Sequence, residues 1–370
     1  MDIFKLIDIA KARNASDVHL AVFTPPLFRI DGSLKTEGEL GPLTEGDMED
    51  AMHQLAGWEE LDKYKQALEL DFSNALPDGT RLRCSVAQQR GITTMTIRIL
   101  AKQIPTIDEL QLPEIYKKFA LLDRGLIVVS GPTGSGKTTT QAAMIQYINA
   151  NRTKHILTLE DPIEYSHPNI KSRITQRELG NDTHSMAEAL KHAMRLDPDV
   201  IVVGEMRDSE TAAAVISLAE TGHLIISTSH APHAPQTIER IIDLFNYEER
   251  HLVQMRIASL LSAVLCQTLV PRLNGPGRIA AVEIMQVNAA TRNLIREGKI
   301  TLISNAVRDY REIGSTTIDE ALVNLYSRGF ISIESVHTYC SNPDEVRSLL
   351  EMSIRTKTPA GKKNAQKLET

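Results

Sequence analysis

Continuous apolar runs, separated by longer segments with helical spacing, mark the second part of the chain. They lie at 125–130 (GLIVVS), 155–160 (HILTLE), 200–203 (VIVV) and 224–228 (LIIST). Short apolar runs of this kind are typical of strands that are buried on both faces, and their alternation with helices predicts a parallel sheet covered by helices. After about Glu283 the pattern becomes helical. We therefore predict an α/β domain that ends in a group of helices.

The first hundred residues show a different pattern, in which apolar and polar residues alternate over short segments. The opening residues, MDIFKLIDIAKAR, predict an amphipathic helix, and a second helix is expected after Thr44, which could cap it together with Asp47. Strands are predicted at 17–22, 27–30, 68–72, 80–88 and 92–100, with turn residues between them. The pattern predicts a small α+β domain with an antiparallel sheet over 1–100.

Two segments without a strong pattern complete the organisation. The segment 101–113, which carries prolines near both ends, is predicted to be a linker, so that the second domain covers 114–354. The tail 355–370 contains five basic residues, one glutamate and no apolar face. We expect this tail to be disordered.

Composition narrows the class of protein. A chain of 370 residues with 42% hydrophobic and 24% charged residues fits two ordinary globular domains. The formal net charge of −6 disfavours nucleic acid as the main partner, and with it helicases and recombinases. The longest largely apolar stretch, 257–270, has the length of a core helix and is too short to cross a membrane. The three cysteines, Cys84, Cys266 and Cys340, form no zinc motif. We expect a cytoplasmic protein.

The segment GPTGSGKTTT at 131–140 carries the strongest chemical signal, because it satisfies Gly-x4-Gly-Lys-Thr between a predicted strand and a predicted helix. Its glycines let successive backbone N–H groups converge on phosphate oxygens, and the helix N-terminus favours an anion. Lys137 is expected to reach the β and γ phosphates, and Thr138 to ligate Mg²⁺. We assign ATP binding to Gly131, Thr133, Gly134, Ser135, Gly136, Lys137, Thr138 and Thr139.

Polar side chains follow the next three apolar runs, at the edge where α/β sheets place their sites. Glu160 and Asp161 follow the first, Glu205 the second and His230 the third. Gly204 occupies the position where many phosphate-loop enzymes have the aspartate that holds magnesium. A carboxylate after a strand is about as often a helix cap or a salt-bridge partner, and a histidine there is more often structural. Their occurrence together behind a phosphate loop favours catalytic roles.

At this point the sequence resembles a known family along nearly its whole length: the secretion-superfamily hexameric ATPases, and among them the type IV pilus retraction ATPases, the PilT family. Besides the phosphate loop, LTLEDPIEYSH is similar to the acidic box of the family, DPDVIVVGEMRDSET to its second nucleotide motif and AETGHLIISTSH to its histidine box. TRNLIREGK, from Thr291, resembles a motif of the retraction branch. The resemblance implies a RecA-like ATPase core with a PAS-like N-terminal domain.

The resemblance also implies roles for single residues and partners. Glu205 is similar to the catalytic glutamate, Glu160 would assist at the magnesium ion or the water, and His230 would sense the γ phosphate. His223 belongs to the same box and would support the nucleotide site, with a strand-start hydrogen bond as the alternative. Arg83 and Arg98 match arginines that this family brings to the nucleotide. A homo-hexamer that turns an inner-membrane pilus platform protein is implied, with contact to the membrane only through partners.

Two departures from the family pattern concern the second half of the chain. STSHAPHAPQT has His233 where family members usually carry small hydroxyl-bearing residues, and TRNLIRE begins with a threonine in place of an apolar residue. Pilus extension and type II secretion ATPases generally carry a four-cysteine zinc module, which is not found here, so retraction is favoured over assembly. A second retraction-type paralogue, a non-hydrolysing partner and a nucleic-acid translocase of the same fold stay open as alternatives.

Overall fold

The computed structural model of the chain describes residues 1–357, apart from 31, 37–39, 101 and 312–313. The chain divides into two compact units, and each is described by itself. The first consists of Met1–Ile104 with Pro162–Pro168, and the second of Pro105–Asp161 with the chain from Asn169 onward. No helix in the described ranges is long and apolar enough to span a bilayer.

The first unit is a small α+β domain around one antiparallel sheet. Its helices are α1 (Ile3–Ala12), α2 (Glu45–Leu55) and α3 (Trp58–Ala67), and its strands are β1 (Asp17–Ala21), β2 (Leu27–Ile30), β3 (Ser33–Thr36), β4 (Glu69–Ala75), β5 (Arg81–Gln89) and β6 (Ile92–Ile99). The strand order is β3-β2-β1-β6-β5-β4. The predicted antiparallel α+β fold is confirmed.

Alternation along the strands separates the two faces of this sheet. Leu82, Cys84 and Val86 of β5 are buried against the helices, whereas the residues between them face outward. The predicted cap of α2 is present as a capping box between Thr44 and Asp47. Strand β3 and helix α3 were not predicted. All four residues of β3 are exposed and only one residue of α3 is buried, so neither segment carries an apolar pattern.

A row of charged residues crosses the outward face of this sheet. Arg29, Asp17, Arg98 and Arg83 lie directly opposite one another on β2, β1, β6 and β5. Arg98 Nε donates to Asp17 Oδ1 at 2.8 Å, and Asp17 is buried. Burial raises the pKa of Asp17, but hydrogen bonds from Arg98 and Ser16 outweigh it, so that the pKa lies below its usual value. Asp17 is therefore an ionised carboxylate that binds Arg98 in this row.

The second unit contains one seven-stranded sheet and the helices that cover it. In chain order its elements are α4 (Ile115–Ala120), β7 (Gly125–Ser130), α5 (Lys137–Asn151), β8 (His155–Glu160), β9 (Arg173–Glu178), α6 (Met186–Ala193), β10 (Val200–Val203), α7 (Ser209–Glu220), β11 (Leu224–Thr228), α8 (Ala234–Asp243), α9 (Tyr247–Leu260), β12 (Leu261–Pro271) and β13 (Arg278–Gln286). Helices α10 (Ala289–Arg296), α11 (Ile303–Asp309), α12 (Ile318–Ser327), α13 (Ile333–Tyr339) and α14 (Pro343–Lys357) follow.

The strand order β13-β12-β7-β11-β10-β8-β9 places β7 in the interior of the sheet. All neighbours pair in parallel except β12 and β13, which are antiparallel. Leu126 and Val128 of β7 pack into the core on one face, and Ile127 and Val129 into the core on the other. The predicted parallel α/β fold is confirmed, and the carboxyl ends of β7, β8, β10 and β11 meet at one edge.

The apolar stretch 257–270, which has the length of a core helix, is divided between a helix and a strand. Helix α9 ends at Leu260, and the remainder forms strand β12, paired with β7 and β13. A strand that is buried on both faces has no period-two pattern, so periodicity alone does not separate it from a buried helix. Strand β13 also continues past Glu283 to Gln286 before the helical region begins. Helix α14 reaches Lys357, and 358–370 of the predicted tail lie outside the described residues.

Candidate nucleotide-binding site

The loop after β7 has the backbone geometry of a phosphate cradle. Gly131, Gly134 and Gly136 have φ values of 137°, 78° and 89°, in the region that favours glycine. A Cβ at Gly131 would lie 2.4 Å from the backbone oxygen of Gln267, so only glycine fits at that position. Gly136 is the N-cap of α5, and the helix N-terminus therefore points its free N–H groups at the loop.

Lys137 lies across this loop. Its Nζ donates to the backbone oxygens of Gly131 and Pro132 at 2.8 and 3.1 Å. Burial lowers the pKa of Lys137, and the nearby charge of Glu205 opposes this shift. Thr138 and Thr139 follow in the first turn of α5, where Thr138 is half-buried.

Two buried polar atoms beside the loop also fit a site for a bound phosphate. Within the described ranges, the Ser135 hydroxyl and the Oε1 atom of Gln267 are buried without a hydrogen-bond partner. Such atoms cost about 1–3 kcal/mol each when nothing pairs with them. The Nε2 atom of the same Gln267 donates to Thr140 Oγ1 of α5 at 2.9 Å, which fixes the glutamine beside the loop. Thr133 and Gly134 are exposed at the mouth of the loop.

Glu205 lies at the carboxyl end of β10 between two basic side chains. Its Oε2 accepts from Arg207 Nε at 2.8 Å, and its Oε1 lies 3.1 Å from His230 Nε2. Burial raises the pKa of Glu205, but the hydrogen bond from Arg207 and the charges of His230 and Arg207 outweigh it, so the pKa is lowered. The structure thus brings Glu205 and His230 together as an ionised carboxylate and its hydrogen-bonding partner.

Arg207 joins this pair to the strand end of β8, because its second nitrogen donates to Asp161 Oδ2 at 3.1 Å. Its own pKa is raised, first by the hydrogen bond to Glu205. Arg207 was not predicted from the sequence, and Asp161 was given no separate role. Arg207 stands only two residues after Glu205, and this spacing was the available signal.

Glu160 occupies a different environment from Glu205, although β8 lies beside β10. One of its oxygens accepts from Thr158 Oγ1 at 2.6 Å and from Gln176 Nε2 at 3.0 Å. These bonds hold the carboxylate at the end of β8. No group of three or more His, Cys, Asp and Glu side chains in the described part of the chain is arranged to hold a metal ion.

The segment that carries His230 is fixed to its neighbours through short polar contacts. Thr228 Oγ1 donates to the oxygen of Gly204 at 2.5 Å, and Ser229 N donates to Val129 O at 3.0 Å. Ser130, the last residue before the phosphate loop, donates from its hydroxyl to Ala231 O at 2.6 Å. The loop, Glu205 and His230 are therefore held at one edge of the sheet.

The structure does not bring His223 to this edge. His223 precedes β11, and its backbone oxygen accepts from the N–H of Gly125, at the opposite end of β7 from the loop. Its Nδ1 lies 2.9 Å from Leu218 O and 3.0 Å from Thr221 Oγ1. These are the hydrogen bonds of a strand-start residue. Arg83 and Arg98 lie in the first unit, on the outward face of its sheet.

The Gly131 cradle leads to a test by substitution. In Gly131→Ala, the Cβ meets a backbone oxygen that cannot rotate away, so we expect nucleotide binding to weaken at least about tenfold, an effect of roughly 1.4 kcal/mol. The binding of a fluorescent ADP analogue, measured by anisotropy, checks this. Gly222→Ala is the matched control, because Gly222 also has a positive φ, of 99°, but its Cβ would meet nothing within 4 Å. If both variants lose nucleotide binding equally, the loss comes from strain at a positive φ and not from the contact with the Gln267 oxygen.

Comparison with known proteins places the chain in a family. The model of the type II/IV secretion system proteins matches residues 3–338. The type IV pilus retraction ATPase PilT of Pseudomonas aeruginosa is 38% identical over 344 residues, 93% of this chain and 99% of that protein. The type IV pilus ATPase PilU of the same organism is 35% identical over 352 residues, 95% of this chain and 92% of that protein.

The solved structures agree with this result. The crystal structure of the pilus retraction motor PilT with bound ADP matches with a TM-score of 0.87 at 38% identity, over 94% of this chain and 99% of that one. The family match to residues 3–338 includes the strands and the loop that form the nucleotide site. The resemblance predicted from the motifs is confirmed, and this chain belongs to the type II/IV secretion system protein family.

Proposed function

We propose that this chain is an ATP-hydrolysing motor subunit that powers type IV pilus retraction. The observation that carries the proposal is the meeting of the phosphate loop, Glu205 and His230 at one sheet edge, in a chain 38% identical over 93% of its length to a retraction ATPase. The motor works as a homo-hexamer and acts on a platform protein of the inner membrane, as the notable resemblance to retraction ATPases implies.

The loop residues bind the triphosphate. Backbone N–H groups from Gly131 to Thr139 surround the phosphate oxygens, and Lys137 moves from the carbonyls of its own loop to the β and γ phosphates. Thr138 and Glu160 would hold Mg²⁺, which would neutralise charge on the phosphates. Oxygen atoms from a hydroxyl and a carboxylate are the ligands that magnesium prefers, and the nucleotide supplies further ones.

Glu205 orients the attacking water. Its lowered pKa keeps it ionised at neutral pH, so it is a hydrogen-bond acceptor for the water. Arg207 holds one oxygen of this carboxylate, and the other oxygen contacts His230. His230 senses the γ phosphate by exchanging its contact with Glu205 for one with the phosphate. The loss of this phosphate changes the arrangement of the two units, which converts hydrolysis into movement.

A second candidate function is that of an accessory paralogue in the same machine. The chain also matches a second type IV pilus ATPase, PilU, at 35% identity over nearly its full length, which supports a place among paralogous ATPases of one machine. The two functions differ in whether hydrolysis by this chain is required. A third candidate function for this chain is that of an ATPase that powers the assembly of pili or of a type II secretion system.

Two variants separate binding from hydrolysis. In Glu205→Gln the side chain loses its charge, so phosphate release falls by about 10²-fold or more while nucleotide binding is retained. In Lys137→Ala both binding and phosphate release are lost, because the cation is removed from the loop. Steady-state phosphate release and ADP-analogue binding measure this. Glu188→Gln, on the exposed face of α6, is the control and keeps wild-type rates. An inactive wild-type protein would overturn the motor proposal.

The two arginines of the first unit are proposed to reach the nucleotide of a neighbouring copy. Arg83→Gln and Arg98→Gln are each expected to slow phosphate release by about 10³-fold. Arg98→Gln also removes one of the hydrogen-bond donors to buried Asp17, so it lowers the free energy of unfolding by about 1 kcal/mol, whereas Arg83→Gln does not. Phosphate release and urea denaturation test the pair. Arg90→Gln, in the exposed β5–β6 turn, is the control. Wild-type hydrolysis in both variants would contradict the arginine assignment.

A deletion strain distinguishes the cellular roles. If the chain powers retraction, cells without it carry excess pili and do not twitch, and the gene for wild-type protein restores twitching. Complementation with Glu205→Gln fails, because the motor needs hydrolysis. Restoration by Glu205→Gln would instead support the accessory paralogue. Cells without pili would point to assembly. Electron microscopy of pili and a twitching assay on agar provide these measurements.

A further inference from the structure

His233 occupies an unusual position, three residues after His230, at the N-cap of α8. Residues at this position are most often Ser, Thr, Asn or Asp, which cap the helix with a side-chain oxygen. The His233 side chain makes no such bond. Its Nδ1 instead lies 3.0 Å from Glu283 Oε2 on β13, and its Nε2 lies 3.1 Å from Ser341 Oγ, beyond α13. His233 thus spans from the segment of His230 to the C-terminal helices.

Glu283 supplies the cap that His233 does not make. Its Oε1 accepts from the N–H of Ala234 at 2.6 Å, at the start of α8, and Glu283 itself is buried. A carboxylate is favoured at a helix N-terminus by the helix dipole. The imidazole of His233 can therefore link Glu283 with Ser341, and this link is called the bridge below. Glu283 contacts both the imidazole and the first N–H of α8.

The far end of the bridge is anchored in α12. Asp319 is buried, and its two oxygens accept from the N–H groups of Ser341 and Asn342 at 2.7 and 3.0 Å. Burial raises the pKa of Asp319, and the charge of Glu345 adds to this effect. The segment that carries Ser341 is thus hydrogen-bonded to α12. A displacement of the Ser341 hydroxyl therefore affects the position of the C-terminal helices.

The near end of the bridge is anchored at the phosphate loop. Thr237 Oγ1 of α8 donates to Ser130 Oγ at 2.9 Å, and Ser130 donates to Ala231 O at 2.6 Å. Ser130 immediately precedes Gly131. The segment 230–237 is consequently bonded to the residue before the nucleotide loop on one side and, through His233, to Ser341 on the other.

We propose that His233 is a positioning residue that couples the placement of His230 to the C-terminal helices, so that the nucleotide state at the loop is transmitted to α12–α14 through Ser341. This coupling rests on the proposed function, since it presupposes that His230 responds to the γ phosphate. Ala234 stays bonded to Glu283, so a displacement of residues 230–233 changes the contact of the His233 ring with Ser341.

The protonation state of His233 sets the strength of the bridge. In the neutral ring, Nδ1–H donates to Glu283 and Nε2 accepts from Ser341; in the charged ring both nitrogens donate. The hydrogen bond to Glu283 raises the pKa of His233, against the effect of burial, and the charges of Glu283 and Asp319 add to the rise. Around this cluster, α14 contributes Glu345, paired with Arg308 of α11, and Cys340 lies next to Ser341.

The sign of the pH dependence follows from this raised value. A group with a raised pKa in the folded state contributes stability that is complete below its unfolded pKa, about 6.5 for histidine, and that is lost as the pH rises through the folded value. The bridge is therefore strongest on the acid side of neutrality and weakest in alkaline solution.

The test compares His233→Ser, which restores a capping hydroxyl but removes the bridge, with Ser341→Ala, which removes only the far contact. In the full chain we expect kcat for phosphate release to fall about fivefold in both variants, with KM for ATP within about twofold of wild type. We also expect wild-type kcat to show a step as the bridge is lost with rising pH, and we expect this pH step to be absent from His233→Ser. His251→Ser, exposed on α9, is the control and keeps both rate and pH step.

Hydrogen exchange gives a readout that does not depend on hydrolysis. In wild type, replacing ADP by a non-hydrolysable ATP analogue is expected to change amide protection at 340–346, and in His233→Ser this change is lost. If wild type does not hydrolyse ATP but still shows the change, the motor proposal fails and the coupling stands. If both variants keep the wild-type kcat, pH profile and protection change, the coupling is wrong. If His233→Ser lowers only the thermal stability and keeps the wild-type pH profile and protection change, His233 has only a packing role.

Discussion

The parallel pairing of β7 with β11, and of β10 with β8, is the constraint on which the rest of the structure depends. Because each of these strands is hydrogen-bonded in register to the next, their carboxyl ends lie at one edge. A loop, two carboxylates and a histidine that are up to about one hundred residues apart in sequence thereby become neighbours. Side chains from four separate strands can then act on one bound group, and none of them needs a long or flexible connection to reach it.

In the first unit, a row of charged side chains crosses the outward face of the sheet and is joined by the ion pair between Arg98 and Asp17. Three arginines share one row with a single buried aspartate, so this row carries more positive than negative charge. Arg83 and Arg98 stand directly opposite each other, which is unfavourable for like charges by a few tenths of a kcal/mol. A row of this kind is suited to contact with an anionic group, and this agrees with the role proposed for the two arginines.

Much of the fold could be predicted from the sequence, because strands buried in a parallel sheet are apolar and short, and the loop glycines are fixed by backbone geometry. The exceptions have physical reasons. Strand β3 is exposed at every residue, so it has no apolar signal, and β12 is buried on both faces, so it has no alternation. In the site, the phosphate loop followed from its spacing, whereas the contacts of Arg207 with Glu205 and Asp161 depend on tertiary packing. His223 was grouped with His230 by the resemblance, with a strand-start hydrogen bond as the alternative. The two histidines lie at opposite ends of β11, and the contacts of His223 are those of the alternative.

Gly131 has a consequence for how this loop can change over evolutionary time. The atom that excludes a side chain there is the backbone oxygen of Gln267, which every amino acid possesses. No replacement at 267 can therefore make room for a larger residue at 131, and no compensating pair of substitutions exists at these two positions. The glycine is required independently of the identity of its neighbour, in contrast to most packed positions, where a smaller partner can accommodate a larger one.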